Sequence, residues 1–416
     1  MTDEARINAT LTQLARGEVP QSEQILGQIS VGIEFLTDFW KEQYLEQFIA
    51  KGGSKIKFIT GRAGSGKSHA LSLFTSLAKH EGYLALRLSA KDVWLHDMRD
   101  LYLSILKEAD IKALLHEAAD RIIEQMGHDP KMIEENHTFF DHLAERGLAD
   151  ALTRQELRNQ LRKMFLSNPR MDNNFAIACS LLTGSMLGHP ILEEENQNLL
   201  YNWLGGDRSV RVTMLRPLGL APSKVTKYNA RNLLGSLVEL VHVSGYTGLV
   251  VAIDDVEVMA DASGMNPMRY TKMRREDAYE SIRQLIDDID TFNHFMVVFG
   301  FDRIMLDDEA KGFKSYQALW MRIQNEIKSE RINKFADIAD LDAIASEVYS
   351  PKMVVEMSRR LAEEVRRINI ETRVVDEEGA RVLIERAKSG AVSLPRLVNQ
   401  ATLGSLKEED GYGMGV

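Results

Sequence analysis

The 416-residue chain has a single cysteine, Cys179, nine prolines and no stretch of consecutive apolar residues long enough to cross a bilayer. A lone cysteine forms no internal disulfide, so a reducing cytoplasm is the expected setting. Its neighbours in "NNFAIACSLL" are apolar and helix-like, which predicts a buried small hydrophobe and not a reactive thiol. The scarcity of proline predicts a largely helical chain. A span would need about 20 apolar residues, so no membrane partner is expected. The ten histidines are scattered, and no Cys/His or His-Glu-x-x-His spacing suggests zinc. Net positive charge is also lacking. At −10 the surface as a whole does not attract phosphate, so any nucleic-acid contact must use a local basic patch. The first residues, "MTDEARINAT", do not read as a targeting peptide.

What is present is a 44% hydrophobic, 27% charged composition, typical of a globular protein with more than one core. Helices are expected up to about residue 50, where Phe35, Phe39, Tyr44, Leu45 and Phe48 follow a roughly helical spacing. "KIKFIT", "YLALRLSA", "GLVVAIDD" and "HFMVVFGFD" read as strands, the third apolar enough to be buried on both faces of a parallel sheet. Between the second and third strands the signal is helical, one helix being announced by a capping box at Thr153–Glu156. The expected fold is therefore α/β, a parallel-sheet P-loop core with a large helical insertion and a helical C-terminal lid. The divisions are N-terminal helices 1–50, core 51–95, insertion 96–240, core 241–345, lid 346–408 and a flexible tail 409–416.

Gly61-Arg62-Ala63-Gly64-Ser65-Gly66-Lys67-Ser68 fits G-x-x-x-x-G-K-[ST] completely, with a strand before it and a helix after. Backbone N–H groups that curl around a phosphate need residues able to take positive φ and to leave room. The helix start, here reaching His69, adds unpaired N–H groups and partial positive charge. Lys67 is expected on the β- and γ-phosphates of ATP, and the Ser68 hydroxyl on Mg²⁺. "LVVAIDDVE" supplies the second half of such a site. Asp254 is expected to hold Mg²⁺ through water and Asp255 to orient the attacking water, with Glu257 able to assist. Asp255 is one methylene shorter than the Glu common at this place in hydrolytic relatives. That keeps open a nucleotide-gated adaptor that does not hydrolyse, and the loop alone is shared with small-molecule kinases, a further alternative.

Asp254 lies about 190 residues after Lys67, which requires the helical insertion. Val31-Gly32-Ile33-Glu34 precedes the loop and Ser393-Leu394-Pro395-Arg396 follows the core. These resemble two boxes of AAA+ ATPases of the origin-recognition type. The resemblance implies adenine contact at Val31 and Gly32 and a γ-phosphate-sensing Arg396; Ile33 departs from the arginine common there. It further implies a polar sensor at the tip of "HFMVVFGFDR", Asp302, and an arginine finger acting on a neighbouring subunit, Arg322 or Arg331, with Arg322 preferred. More of the chain, through "LARGEVPQSEQILGQISVGIEF", "YNWLGGD", "GYTGLVVAIDDVEVM" and "SYQALWMRI", resembles the ATP-binding proteins of bacteriophage-exclusion (BREX) systems, the BrxD-like family. That resemblance implies a cytoplasmic, self-associating ATPase acting with DNA or other defence-system proteins. Three basic clusters are candidate DNA contacts: Arg154/Arg158/Arg162/Lys163 with Arg170, Arg269/Lys272/Arg274/Arg275, and Arg359/Arg360/Arg366/Arg367. Each is as readily a solvated or salt-bridged face.

Overall fold

A computed structural model describes residues 12–14, 18–20, 22–134, 137–261, 263, 266–324, 333–390 and 392–404. Arg331 and the proposed tail 409–416 lie outside the described residues.

Five parallel strands form one sheet in the order β2-β3-β4-β1-β5, with β1 Ser54–Gly61, β2 Leu84–Ser89, β3 Leu249–Asp254, β4 Phe295–Asp302 and β5 Ile338–Asp340. The four expected strands are present, and β5 is an addition. Its three residues are too few to show an alternating pattern, and it forms because Phe58–Thr60 of β1 offer it an unpaired edge. The strands are in parallel register, so Gly61 pairs with Asp302, Ser89 with Asp254 and Thr60 with Asp340. The carboxyl edge thereby gathers three aspartates and the first loop glycine. This is the edge where open α/β sheets bind ligands.

Both faces of the sheet are covered, which is why its strands are apolar throughout. Phe58, Val251, Ile253, Val297, Phe299 and Phe301 face a core shared with the insertion helices, among them Met98–Glu108, Ile111–Gln125, Asn173–Leu187 and Ala230–Val243. Insertion and sheet thus share one continuous apolar core. Cys179 is fully buried there, as expected, and burial pushes its thiol pKa up. The alternate residues Ile59, Val250, Ala252, Met296 and Val298 face the helix Lys67–His80 and the N-terminal helices.

The helix Glu34–Trp40 runs into a π-helical stretch, Lys41–Ile49. Among its buried residues, Leu36, Trp40, Leu45 and Ile49 are spaced four, five and four apart. The five-residue step is one π turn, which keeps all four on a single face. Phe48, expected inward, is 44% exposed as a result. The insertion helix expected to start at Thr153 starts at Ala151, and its cap is Asp150, whose carboxylate accepts the Thr153 N–H at 2.7 Å. Asp caps as well as Thr and stands three residues earlier, so it sets the boundary. The C-terminal helices Pro351–Arg366, Glu377–Ser389 and Leu394–Thr402 pack on a separate small core around Val354, Leu383 and Leu397.

Candidate functional site

The phosphate loop leaves β1 at Gly61 and enters the helix at Lys67. Gly64 and Gly66 have φ of +82° and +95°, which side-chain-bearing residues rarely adopt. Gly66 has open space around it, so only its backbone needs glycine. At Gly64 an added Cβ would also lie 2.6 Å from Cβ and Cδ of Arg396. Arg396, on the first turn of the last described helix, therefore lies directly over the loop. Among the described residues its exposed guanidinium makes no ion pair. The first four N–H groups of a helix lack intrahelical partners, and here no side chain caps them. The Ser65 hydroxyl is buried without a hydrogen-bond partner. The loop is thus rich in donors at the position an anion would occupy. Lys67 turns back on the loop, donating to the carbonyls of Gly61 (3.0 Å) and Arg62 (3.3 Å).

Arg62 faces the other way. Its backbone N–H donates to Asp342 Oδ2 at 2.7 Å, and its guanidinium reaches Asp342 and the carbonyls of Ala387 and Gly390. Its N–H is thereby withdrawn from the anion cradle, and the residue ties the loop to the lid. Ser393 donates to Asp342 Oδ1 at 2.9 Å and completes the link. Burial opposes ionisation of Asp342, but the hydrogen bonds from Arg62 and Ser393 outweigh it and hold the carboxyl below the usual range.

Behind the loop opens a cavity of about 670 Å³, within the range of cofactor pockets. The loop residues 64–68 and His69 form its floor, Val31 and Ile33 one wall, and Tyr349, Met357 and Arg396 the lid side. Val19 and Pro20, from the "LARGEVP" stretch, close it. Gly32 has φ +85°, and its missing side chain makes room for Tyr349, whose ring would stand 2.5 Å from an added Cβ. The Tyr349 hydroxyl donates to the Val31 carbonyl at 2.9 Å. Ser30 gives its single hydroxyl hydrogen to the Leu26 carbonyl (2.7 Å), so the 2.8 Å contact with His69 is donated by His69 Nε2. Desolvation in this enclosure pushes the His69 pKa down to about 4.

Asp254 is buried at the end of β3. It accepts the Asp255 N–H at 2.9 Å, and Arg87 lies 3.6 Å from its other oxygen while also meeting Ser72, one turn beyond Ser68. Gly300 of β4 leaves space shared by Asp254 and Leu71 of the phosphate-loop helix, where a Cβ would lie 3.0 and 2.7 Å from them. Asp254 is thus tucked beneath the helix that carries Ser68. Among the described residues no cluster of three or more His, Cys, Asp or Glu forms a ready metal cage. One carboxylate with one hydroxyl, completed by phosphates and water, is how proteins commonly hold Mg²⁺.

Asp255 takes a left-handed backbone, φ +60° and ψ 28°. That turn carries its side chain to β2, where one carboxylate oxygen accepts from Ser89 Oγ at 2.7 Å and the other pairs with Lys91. Glu257 faces the loop side instead. Its Oε2 accepts the Asp302 N–H at 3.1 Å, and Asp302 in turn stands 3.7 Å from Lys67 Nζ.

Arg322 lies away from these groups, on the helix Gln317–Ile323, bonded to Asp287 through Nε at 3.0 Å and Nη2 at 3.1 Å. Of the basic clusters, Arg359, Arg360 and Arg367 are paired with Glu356, Glu363 and Glu364, a salt-bridged surface. Arg274 lies 4.9 Å over the Trp94 ring, whereas Arg162 and Lys163 are exposed. The "WLGGD" stretch is architectural: Trp203 donates to the Ser223 carbonyl at 2.7 Å, and Gly206, at φ +66°, lets Leu103 approach.

The sequence model of the BREX system ATP-binding protein BrxC/D family matches residues 3–397, nearly the whole chain. No curated protein and no solved structure matches. Among the described residues no helix is long and apolar enough to cross a membrane.

Proposed function

The chain belongs to the BREX system ATP-binding protein family, and from that premise we propose that it is an AAA+-like ATPase whose nucleotide state governs contacts with DNA or with other defence-system proteins. The observation that carries the reading is the donor-rich loop opening onto a cavity closed by the lid arginine and by Val31, Ile33 and Tyr349. The triphosphate would lie over Gly64–Ser68, with Lys67 released from its own loop carbonyls to the β- and γ-phosphates. The base would enter between Val31, Tyr349 and Met357, an apolar slot suited to an adenine ring. Ser68 and Asp254 would hold Mg²⁺, which supplies neutralisation of phosphate charge. Arg396 over Gly64 would read the terminal phosphate, and the Arg62–Asp342–Ser393 link would carry that state to the lid. Arg322 would reach a neighbouring copy only by exchanging its partner Asp287.

The test is nucleotide binding and phosphate release by the full chain, with and without DNA, beside mass measurement in ATP and ADP. Lys67→Ala is expected to abolish binding or turnover; a variant as active as the wild type would reject the site. A second reading, a switch that binds without hydrolysing, draws on the engagement of both Asp255 oxygens by Ser89 and Lys91. Absence of turnover under every condition would favour it.

A further inference from the structure

Hydrolysis is accelerated by a group beside the terminal phosphate that orients the attacking water or accepts its proton, and a free carboxylate serves both roles. Asp255, next to the metal-binding aspartate in sequence, is not that group. Its left-handed backbone aims it at β2, and Ser89 and Lys91 occupy both its oxygens. Three observations distinguish Glu257. The 3₁₀ turn Val256–Ala260 brings it back over the carboxyl edge from β3 to β4. Its carboxylate is held by the Asp302 N–H at Oε2 and by its own backbone N–H, and among the described residues no cation or hydroxyl is paired with it. Its surroundings include the Lys67 ammonium, the group that marks where the terminal phosphate would lie.

We infer that Glu257, and not Asp255, is the catalytic carboxylate that takes the proton from the attacking water; the inference rests on the hydrolytic reading above. The water oxygen forms a bond to the γ-phosphorus as its proton passes to Glu257. The bond from phosphorus to the β,γ-bridging oxygen breaks, and that electron pair leaves with ADP. The proton then returns to phosphate or solvent, which regenerates the carboxylate. Burial raises the Glu257 pKa, with its own backbone N–H, the nearby Lys67 charge and the Asp302 N–H acting against it, so the group is a better proton acceptor than an exposed glutamate. Asp255 becomes an anchor that joins β3 to the loop after β2.

The experiment compares wild type, Glu257→Gln, Glu257→Asp and Asp255→Asn as full-length proteins, by fluorescent-ATP affinity, steady-state phosphate release and thermal midpoint. Glu257→Gln keeps the acceptor for the Asp302 N–H, so its affinity is expected within about threefold of wild type. Its turnover is expected to fall by about 10²-fold or more, the usual worth of a positioned general base. Glu257→Asp is expected to recover part of that loss. Asp255→Asn is expected to lose at least tenfold less rate than Glu257→Gln. Equal turnover by Glu257→Gln and wild type, or a deeper loss in Asp255→Asn, overturns the assignment while leaving hydrolysis intact. A wild-type protein that binds ATP but releases no phosphate overturns the hydrolytic reading and this inference together.

Discussion

Asp342 accepts the backbone N–H of Arg62 at 2.7 Å, so the second residue of the phosphate loop is bonded to the helix that follows β5. The same carboxylate receives Ser393 at the entry to the last lid helix. One half-buried acid therefore registers the loop against the lid. Asp342→Ala leaves the Arg62 N–H and guanidinium without their acceptor, a loss expected to cost about 1–3 kcal/mol. Chemical denaturation should show it, and ATP affinity should fall with it. Because the Asp342 pKa is held below its unfolded value, its stabilisation is complete above about pH 5 and is lost as pH falls through the lowered native pKa. Asp342→Asn should flatten the stability profile in that acid window.

His69 gives a second pH dependence in a different window. Its native pKa is pushed down to about 4, whereas an unfolded histidine titrates near 6.5. Below about pH 6.5 the unfolded chain binds a proton that the native ring refuses, so stability falls between there and about pH 4. His69→Gln should remove that slope. Melting curves at pH 7.5, 6 and 5 check it: a wild-type midpoint no more pH-sensitive than that of His69→Gln would contradict the buried neutral ring.

Gly64 and Gly66 separate two reasons for glycine. Gly66→Ala meets only the penalty of positive φ, about 1–2 kcal/mol. Gly64→Ala adds a collision with the Arg396 stem, so it should weaken ATP binding more than Gly66→Ala does. Arg396→Ala removes the Cγ and Cδ part of that collision but keeps the Cβ contact at 2.6 Å, so the double variant Gly64→Ala/Arg396→Ala is expected to lose only slightly less affinity than the two single losses sum to. Titration with ATP and with ADP checks it, since Arg396→Ala alone should reduce ATP affinity and spare ADP.

The core of this fold was legible because its signals are local. A buried strand, a loop of glycines and a helix are contiguous in residues 54–80, and "LVVAIDD" is apolar until its two acids. What escaped is set by contacts distant in sequence or by one backbone angle. Asp342 stands in "DLDAI" with no motif around it, and its importance comes from Arg62, 280 positions away. Tyr349 matters because Gly32 leaves room for it. Asp255 and Glu257 are both plausible water-side acids in the sequence; the φ of +60° at Asp255 sends the two carboxylates to different places. "LARGEVP" is visible as a resemblance, but the place of Val19 and Pro20 in the cavity wall depends on the folded lid.

Arg322 separates a structural from a functional role for an exposed ion pair. It and Asp287 keep 37% and 33% of their side-chain surface exposed, and pairs that open contribute about 0–1 kcal/mol. Arg322→Ala should therefore leave the thermal midpoint almost unchanged. Should Arg322 serve the site of an adjacent copy, the same substitution removes a cation from developing phosphoryl charge, an effect of about 10³–10⁵ in rate for arginine fingers. The expected pattern is normal stability and normal ATP affinity with turnover that no longer rises with protein concentration. Mixing is the sharper measurement. Arg322→Ala supplies an intact nucleotide site without the finger, and Lys67→Ala supplies the finger without a working site. A blend of the two inactive proteins should recover turnover if the arginine acts across an interface, and a blend as silent as its components would assign Arg322 to its pair with Asp287 alone.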